Sequence, residues 1–88
     1  MNSNATADFW KLYHELPESI RRDAQKAFHI FRNDPSHPAL SMERLRCVSN
    51  YWSVRITRNY RAVGVKTGNT VTWFWIGSHS EFEKKFPV

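Results

Sequence analysis

The chain has 88 residues, of which 15% are aromatic and 24% charged, and its formal net charge is +5 at pH 7. At this length folding buries about 60 to 65% of the surface that the unfolded chain exposes, so the core must be small and built from large side chains. The single cysteine, Cys47, excludes an internal disulfide, and without paired Cys and His spacings we expect no metal site and no cofactor.

The N-terminal stretch MNSNATAD has no basic segment and leads into no long apolar run. It therefore predicts neither a signal peptide nor a membrane span, and the cytoplasm is the expected compartment. Residues 1–7 show no periodicity and are predicted to be a flexible tail. Residues 8–88 are predicted to form a single domain.

Two amphipathic helices are predicted next. In DFWKLYHEL, residues 8–16, apolar side chains recur at i, i+3, i+4 and i+7, and Asp8 is placed as an N-cap or first-turn acid. Pro17 suits the first position of a second helix, which carries one apolar stripe. The stripe consists of Ile20, Ala24, Ala27, Phe28 and Phe31. We expect the two helices to run antiparallel as a hairpin.

Short strands follow the turn-rich segment NDPSHPAL, residues 33–40, which ends the second helix. The predicted strands are residues 42–47, 52–57, 60–66 and 70–76, and Gly68-Asn69 is a two-residue hairpin signal. Val54 and Ile56 are expected to face the helices and Arg55 the opposite side. The last strand is apolar on both faces, which places it in the sheet interior.

A short final helix over residues 80–85 is predicted, with Ser78 or Ser80 as its cap and Glu81 in its first turn. The predicted fold class is therefore α+β. It consists of an N-terminal helical hairpin packed on a small twisted antiparallel β-sheet, followed by a short C-terminal helix.

Positive charge is concentrated in residues 44–66, where six Arg and Lys side chains follow a single carboxylate, Glu43. Such a basic region favours a nucleic acid or an acidic protein as partner, although ordinary solubilising charge would give the same count. The six cations are Arg44, Arg46, Arg55, Arg58, Arg61 and Lys66.

Four side chains are expected to converge at one rim of the sheet: Glu43, Arg55, Arg61 and His79. Arginine forks bind phosphate in a bidentate manner, and an imidazole exchanges protons near neutral pH. Metal-free RNA cleavage needs a base for the 2′-OH, cations for the phosphate and an acid for the 5′-oxygen, and this set supplies all three. His79 alone is more typical of a helix start, so the interpretation depends on the whole set.

Six segments, taken in order and spacing over residues 9–85, resemble the RelE/ParE superfamily of bacterial type II toxins. They are LPESI (16–20), NDPSHPAL (33–40), MERLR (42–46), YWSVRI (51–56), NYRAV (59–63) and WIGSH (75–79). The resemblance implies two N-terminal helices against a twisted antiparallel sheet. In the RelE and YoeB branches it implies a ribosome-associated messenger RNA endonuclease, neutralised by an antitoxin that wraps around it.

The resemblance also implies roles for single residues. Arg55 resembles the transition-state arginine of that branch, Arg61 its phosphate-contacting arginine and Glu43 a YoeB-type general base. His79 falls where the family has its C-terminal acid or another cation, and Phe82 lies near the usual C-terminal tyrosine.

The predicted RNA contacts lie outside this catalytic set. Arg44 and Arg46 resemble backbone contacts of the family, and Phe82 is the aromatic residue expected to stack on a nucleotide. Arg58 and Lys84 complete the predicted RNA-binding residues.

Many superfamily members begin with a β-strand, but MNSNATAD is too polar to predict one. We therefore expect an open sheet edge, available to an antitoxin strand or to a second copy of the chain as a homodimer. Two other functions stay open: a ParE-like inhibitor of DNA gyrase with the same fold, and a binding module without catalysis.

Overall fold

The computed structural model describes residues 1–46 and 48–86, so Cys47, with which the first predicted strand ends, lies outside the described residues. The helices are α1 (Ala7–His14), α2 (Glu18–Asn33) and α3 (His79–Lys85), with a short 3₁₀ helix at Pro38–Leu40. The strands are β1 (Asn2–Ala5), β2 (Glu43–Arg44), β3 (Tyr51–Thr57), β4 (Tyr60–Thr67) and β5 (Thr70–Ser78). Within this part of the chain no helix is long and apolar enough to cross a membrane.

The five strands form one sheet in the order β1-β5-β4-β3-β2. The predicted α+β class is confirmed, and β5 lies in the interior of the sheet as its apolar run predicts. Strands β2 to β5 are antiparallel to their neighbours, whereas β1 is parallel to β5. The sheet is therefore mixed rather than wholly antiparallel.

The prediction of a flexible N-terminal tail is wrong for Asn2–Ala5, which form β1. This strand pairs with β5 from Asn2 opposite Thr70 to Ala5 opposite Trp73. The Trp73 indole Nε1–H also donates to the Ser3 hydroxyl over 2.9 Å. Because backbone pairing and this one bond hold the strand, it needs no apolar run, and its polar composition concealed it.

Local signals position the two N-terminal helices. The α1 cap is Thr6, whose hydroxyl accepts from the Phe9 backbone N–H over 3.1 Å, so Asp8 is a first-turn acid. Contacts between the helices confirm the antiparallel hairpin: the Phe9 and Phe28 rings lie 5.7 Å apart, and the Gln25 amide donates to the Tyr13 hydroxyl over 2.8 Å.

Two apolar cores lie on opposite faces of the sheet. The larger core joins α1 and α2 to the sheet through fully buried side chains such as Phe9, Phe31, Val54 and Trp73. The smaller core lies under α3 on the other face. Its buried members are Leu45, Val63, Trp75, Phe82 and Phe86.

A β-bulge explains why the run WFWI is apolar on both faces. Val63 pairs with Trp75 and Gly64 pairs with Trp73, so Phe74 is an extra residue on β5. Such a bulge turns two successive side chains to one face. Trp73 accordingly packs in the larger core, while Phe74 and Trp75 both pack against the smaller one.

The β4–β5 turn is the predicted Gly68-Asn69 hairpin, with Gly68 at φ +59°. A two-residue hairpin of this kind needs positive φ at its first central position, which glycine adopts without strain.

Candidate active site

Arg55 and Arg61 lie directly opposite each other on β3 and β4, on the face that carries α3. Like charges in such a cross-strand pair repel each other. The pKa of Arg61 is lowered by burial, and further by the charge of Arg55, while Glu43 partly offsets the effect. Arginine nevertheless remains charged at neutral pH, so the pair holds two cations close together with little neutralisation.

The Arg61 guanidinium is anchored by the β3–β4 turn. Its Nη1 donates to the Thr57 carbonyl over 2.9 Å and to the Tyr60 carbonyl over 3.2 Å. A guanidinium carries five N–H donors. The turn therefore fixes the position of the side chain and leaves donors for an anion in the cleft.

Gly77 is the strand partner of Arg61 and lies under the Trp75 indole. A Cβ at Gly77 would lie 2.6 Å from Cζ2 and 2.9 Å from Cη2 of Trp75. The missing side chain thus makes room for the indole over Gly77, which lies opposite Arg61 on the paired strand.

His79 is the first residue of α3 and is held from three directions. Its backbone N–H donates to the Asn59 carbonyl over 2.7 Å. Its ring lies parallel to the Phe82 ring at a centroid distance of 6.0 Å, and its Nδ1 lies 3.2 Å from a Glu83 carboxylate oxygen. With the Nδ1 hydrogen directed to Glu83, Nε2 is left to accept or donate a proton. The His79 side chain is 43% exposed.

Ser78 caps α3 and thereby positions His79. Its hydroxyl accepts from the Glu81 backbone N–H over 3.2 Å and donates to the Glu81 carboxylate over 3.1 Å. This Ser-x-x-Glu arrangement resembles a capping box and confirms the predicted cap and the first-turn role of Glu81. The helix consequently starts at His79, one residue earlier than predicted.

One cleft of about 470 Å³ brings several of these groups together, and we name it the active-site cleft. Three residues of the predicted catalytic set line it: Glu43, Arg61 and His79. Arg55 stands directly across from Arg61. The cleft is also lined by Ser41, Ser53, Phe82 and Glu83.

Sequence reasoning missed Ser41, Ser53 and the contact of Glu83. Ser53 is 3% exposed, pairs with Glu43 and lies two residues before Arg55 on the same strand face, so strand alternation alone could have placed it. Ser41 has a left-handed conformation at φ 42°, for which the sequence carries no signal. Glu83 reaches His79 at the i+4 spacing of a helix.

Residues 18–84 match the model of the ParE-like toxin domain family. The chain belongs to this family. It is a toxin domain of the RelE/ParE superfamily, as the sequence resemblance predicts. No curated protein is significantly similar to this ParE-like domain in sequence.

Solved structures share the fold of the ParE-like domain at low sequence identity. A RelB-RelE antitoxin-toxin complex from Methanococcus jannaschii has a chain with TM-score 0.77 and 20% identity, covering 96% of this chain and 99% of that one. A YoeB/ParE toxin from Agrobacterium tumefaciens gives 0.70 and 20%, covering 90% and 99%. The DinJ-YafQ toxin-antitoxin complex of E. coli gives 0.73 and 8%, covering 91% and 93%.

One predicted RNA contact, Arg44, lies away from the active-site cleft, and another, Phe82, lines the cleft with a ring that is nearly buried. Arg44 pairs with Trp52, and alternation along β2 turns it to the sheet face opposite that of Glu43. Phe82 is only 7% exposed, because Trp75, Phe86 and His79 pack around its ring. The Phe82 ring packs against the His79 ring, and stacking of Phe82 on a nucleotide stays a prediction.

The other predicted RNA contacts of the ParE-like domain are exposed. Arg46 follows β2, Arg58 lies in the β3–β4 turn, and Lys84 lines a shallow surface with His79 on α3. Within residues 1–46 and 48–86, no three His, Asp or Glu side chains are grouped so that they could hold a metal ion.

Proposed function

We propose that this toxin domain is an endoribonuclease that cleaves messenger RNA in the cytoplasm without a metal ion. One observation carries the proposal: a carboxylate, a partly buried guanidinium and an imidazole, from Glu43, Arg61 and His79, line a single cleft. A second guanidinium, that of Arg55, faces the first across two strands.

The reaction follows from the chemistry of these groups. The Glu43 carboxylate removes the proton from a ribose 2′-OH, and the 2′-oxygen attacks the adjacent phosphorus. The Arg55 and Arg61 guanidinium groups stabilise the negative charge that builds on the phosphoryl oxygens. Protonated His79 gives a proton to the departing 5′-oxygen, which leaves a 2′,3′-cyclic phosphate and a free 5′-OH.

Each group has an expected contribution. Loss of one well-placed donor to the developing charge costs about 10² to 10³ in rate. Loss of general acid or base help costs about 10² to 10⁴. Glu83 is a positioning residue, because it contacts Nδ1 of His79 and keeps Nε2 available for the leaving oxygen.

The direct test is cleavage of RNA by the purified full chain, with Arg61→Ala and His79→Ala beside it. We expect both variants to remain folded and to lose at least about 10²-fold in rate. Arg32→Ala, which removes an exposed arginine of α2, serves as the matched control and should keep full activity. If both cleft variants are folded and as active as the unmodified chain, the catalytic assignment is wrong.

Ribosome association is part of the same hypothesis and has its own test. Primer extension on cellular messages after induction should reveal new 5′ ends within translated regions. Cleavage of a message should then depend on its translation. Equal cleavage of translated and untranslated copies would remove the ribosome from the mechanism and leave the chemistry intact.

We propose a cognate antitoxin as the protein partner. The structural neighbours include toxin-antitoxin complexes, and the net charge of +5 favours an acidic partner. Co-expression of a small acidic protein encoded beside the toxin gene should relieve growth arrest and co-purify with the chain. Strand addition to an outer edge of the sheet by this partner, or by a second copy of the chain, completes the hypothesis.

A second candidate function is inhibition of DNA gyrase, which the match to the ParE-like family model favours. Such an inhibitor needs no histidine beside paired arginines. Loss of plasmid supercoiling in cells with intact transcripts would support it. Binding of RNA with neither cleavage nor a growth effect would instead indicate a module without catalysis.

A further inference from the structure

A second cleft, of about 410 Å³, lies on the sheet face that carries α1 and α2 and opens beside Trp52. We name it the Trp52 cleft. It is lined by residues of the segment between α2 and β2 and by side chains of β3 and β4, among them His37, Pro38, Met42, Trp52 and Lys66. It shares no lining residue with the active-site cleft except Ser41.

One cation lies at the aromatic ring of this cleft, and a second lies on the neighbouring strand. The Lys66 ammonium lies 5.6 Å from the centroid of the Trp52 ring, and Arg44 is the strand partner of Trp52. Nδ1 of His37 accepts from the Ala39 backbone N–H over 3.0 Å, which leaves the ring hydrogen on Nε2. Three donors of hydrogen bonds to an anion thus lie at or beside the ring.

Carboxylates do not offset these cations among the described residues that line the cleft. Asp34 precedes the lining segment, and its carboxylate accepts from the Ser36 hydroxyl over 2.9 Å. Glu43 belongs to the other sheet face. The described lining of the Trp52 cleft therefore carries positive charge and no negative charge, which favours an anion.

An aromatic face combined with cations is the surface that single-stranded nucleic acid prefers, because any base stacks on the ring while the cations contact phosphates. Lys66 already occupies a cation–π position on Trp52. A base entering the cleft would take its place on the ring and free the ammonium for a neighbouring phosphate.

The two clefts lie on opposite faces of the sheet, whose edge on this side is β2, a strand of two residues. Glu43 faces the active-site cleft, and the next residue, Arg44, lies on the face of the Trp52 cleft. A flexible strand of RNA could cross this short edge with a phosphate on either side. This geometry also explains why Arg44, a predicted RNA contact, lies away from the catalytic groups.

We propose that the Trp52 cleft binds a single-stranded segment of RNA that crosses β2 from the active-site cleft. The RNA identity of the ligand rests on the proposed function, but binding here requires no cleavage. Trp52 stacks on a base, and Lys66, Arg44 and the His37 Nε2–H contact phosphate oxygens.

The test uses the full chain and a fluorescent 2′-O-methyl RNA of about 12 nucleotides, a length typical of single-strand binding sites. The methylated ribose has no attacking hydroxyl, so binding is measured without cleavage. Lys66→Glu and Trp52→Leu should each weaken binding about tenfold or more, while Lys26→Glu on exposed α2 should change it less than about twofold. Lys66→Ala should also lower the log–log salt slope by about 0.7, the value for one phosphate contact to a single strand.

A second measurement uses the unmodified chain, so its result does not depend on whether a variant folds. In ¹H–¹⁵N spectra of the unmodified chain, the Trp52 indole signal should shift on addition of this RNA. A shift of equal size with adenosine monophosphate alone, or with an acidic peptide alone, would overturn the assignment to an RNA strand.

The outcomes separate this inference from the proposed function. Unchanged RNA binding by folded Lys66→Glu overturns the Trp52 cleft as an RNA site, whether or not Arg61→Ala abolishes cleavage. RNA binding that depends on Lys66 in a chain that cleaves no RNA supports the cleft and refutes the nuclease.

Discussion

Arg55 and Arg61 face each other across β3 and β4, and only Glu43 partly offsets their repulsion. Two like charges at directly opposed positions oppose folding. Burial adds to this cost for Arg61, as its lowered pKa indicates. The chain thus keeps a destabilising pair at the position where the proposed reaction needs positive charge, a common compromise in active sites.

We predict that Arg55→Gln raises the free energy of unfolding by about 0.2 to 1 kcal/mol while lowering RNA cleavage. The gain should be the same at pH 6 and pH 8. The pKa of Arg61 is lowered in the folded state, so its positive charge reduces the free energy of unfolding at every pH below that pKa. This destabilisation is lost only as pH rises through the lowered pKa. For an arginine that range lies far above neutrality.

Urea unfolding at the two pH values measures this prediction. Arg58→Gln, which removes an exposed arginine of the β3–β4 turn, is the control and should leave the midpoint unchanged. A lower midpoint for Arg55→Gln would mean that the guanidinium stabilises the fold through contacts that outweigh the repulsion.

Gly77 supports a prediction on packing. In Gly77→Ala the new methyl would lie 2.6 Å from the Trp75 ring, which itself is buried at 7% exposure. Overpacking of this kind costs about 1 to 3 kcal/mol, and movement of the indole should disturb Arg61 on the paired strand. Gly68→Asn is the comparison variant: its site is open, so only the strain of positive φ, which asparagine tolerates better than most residues, should lower its stability. Equal stability of the two variants in urea would contradict the proposed contact.

At the level of single elements, α3 matters because its first residue is His79. Ser78→Ala removes both bonds of the cap, and we predict a loss of about 1 kcal/mol in unfolding free energy. Cleavage should fall by more than this loss of folded protein explains, since the cap sets the position of the imidazole.

Ser80→Ala is the matched control, an exposed serine one residue beyond His79 in the same helix. Single-turnover cleavage rates under conditions where both variants are fully folded separate the two effects. Normal rates for Ser78→Ala would mean that the Asn59 and Glu83 contacts suffice to position His79.

The elements that the sequence predicts well are those with local signals. The helical stripes, the Gly68-Asn69 turn and the Ser78 cap each depend on residues a few positions apart, so they are visible without the fold. Strand alternation likewise places Val54 and Ile56 on the helix face. Strand β1 has no such signal, because its partner is Thr70–Trp73 at the other end of the chain.

The candidate site was predictable only in part, for related reasons. Arg55 and Arg61 flank one hairpin turn, so their proximity follows from a short segment. The side of β2 on which Arg44 lies depends on the register with β3, and the burial of Phe82 depends on Trp75 being turned by the bulge. Both depend on the pairing of strands that are distant in sequence, and local residue patterns do not reveal that pairing.

At the level of the whole molecule, cations lie on both faces of the sheet, with Arg55 and Arg61 on the α3 face and Arg44 and Lys66 on the face of the Trp52 cleft. The salt dependence of RNA affinity therefore reports how far the strand extends. Between 50 and 200 mM salt, two phosphate contacts weaken binding about sevenfold, whereas four weaken it about fiftyfold. We predict the larger loss for the unmodified chain, with contacts at Arg55, Arg61, Arg44 and Lys66.

Fluorescence anisotropy of the methylated RNA at several salt concentrations measures the slope directly. Lys66→Ala should lower this slope by the amount expected for one phosphate contact, and Lys26→Ala should leave the slope unchanged. If the slope of the unmodified chain corresponds to only two phosphate contacts, the RNA lies in the active-site cleft alone.

The pairing of β1 with β5 has a consequence for the order in which the protein is made. Ser3 meets Trp73 through a side-chain bond, and the two strands join across nearly the whole sequence. Contacts of such long sequence separation form late in folding. During synthesis β1 therefore stays unpaired until β5 has left the ribosome. Glu43, Arg55 and Arg61 precede β5 in the chain and are therefore translated before β1 can pair, so β1 completes a sheet whose site-bearing strands are already made.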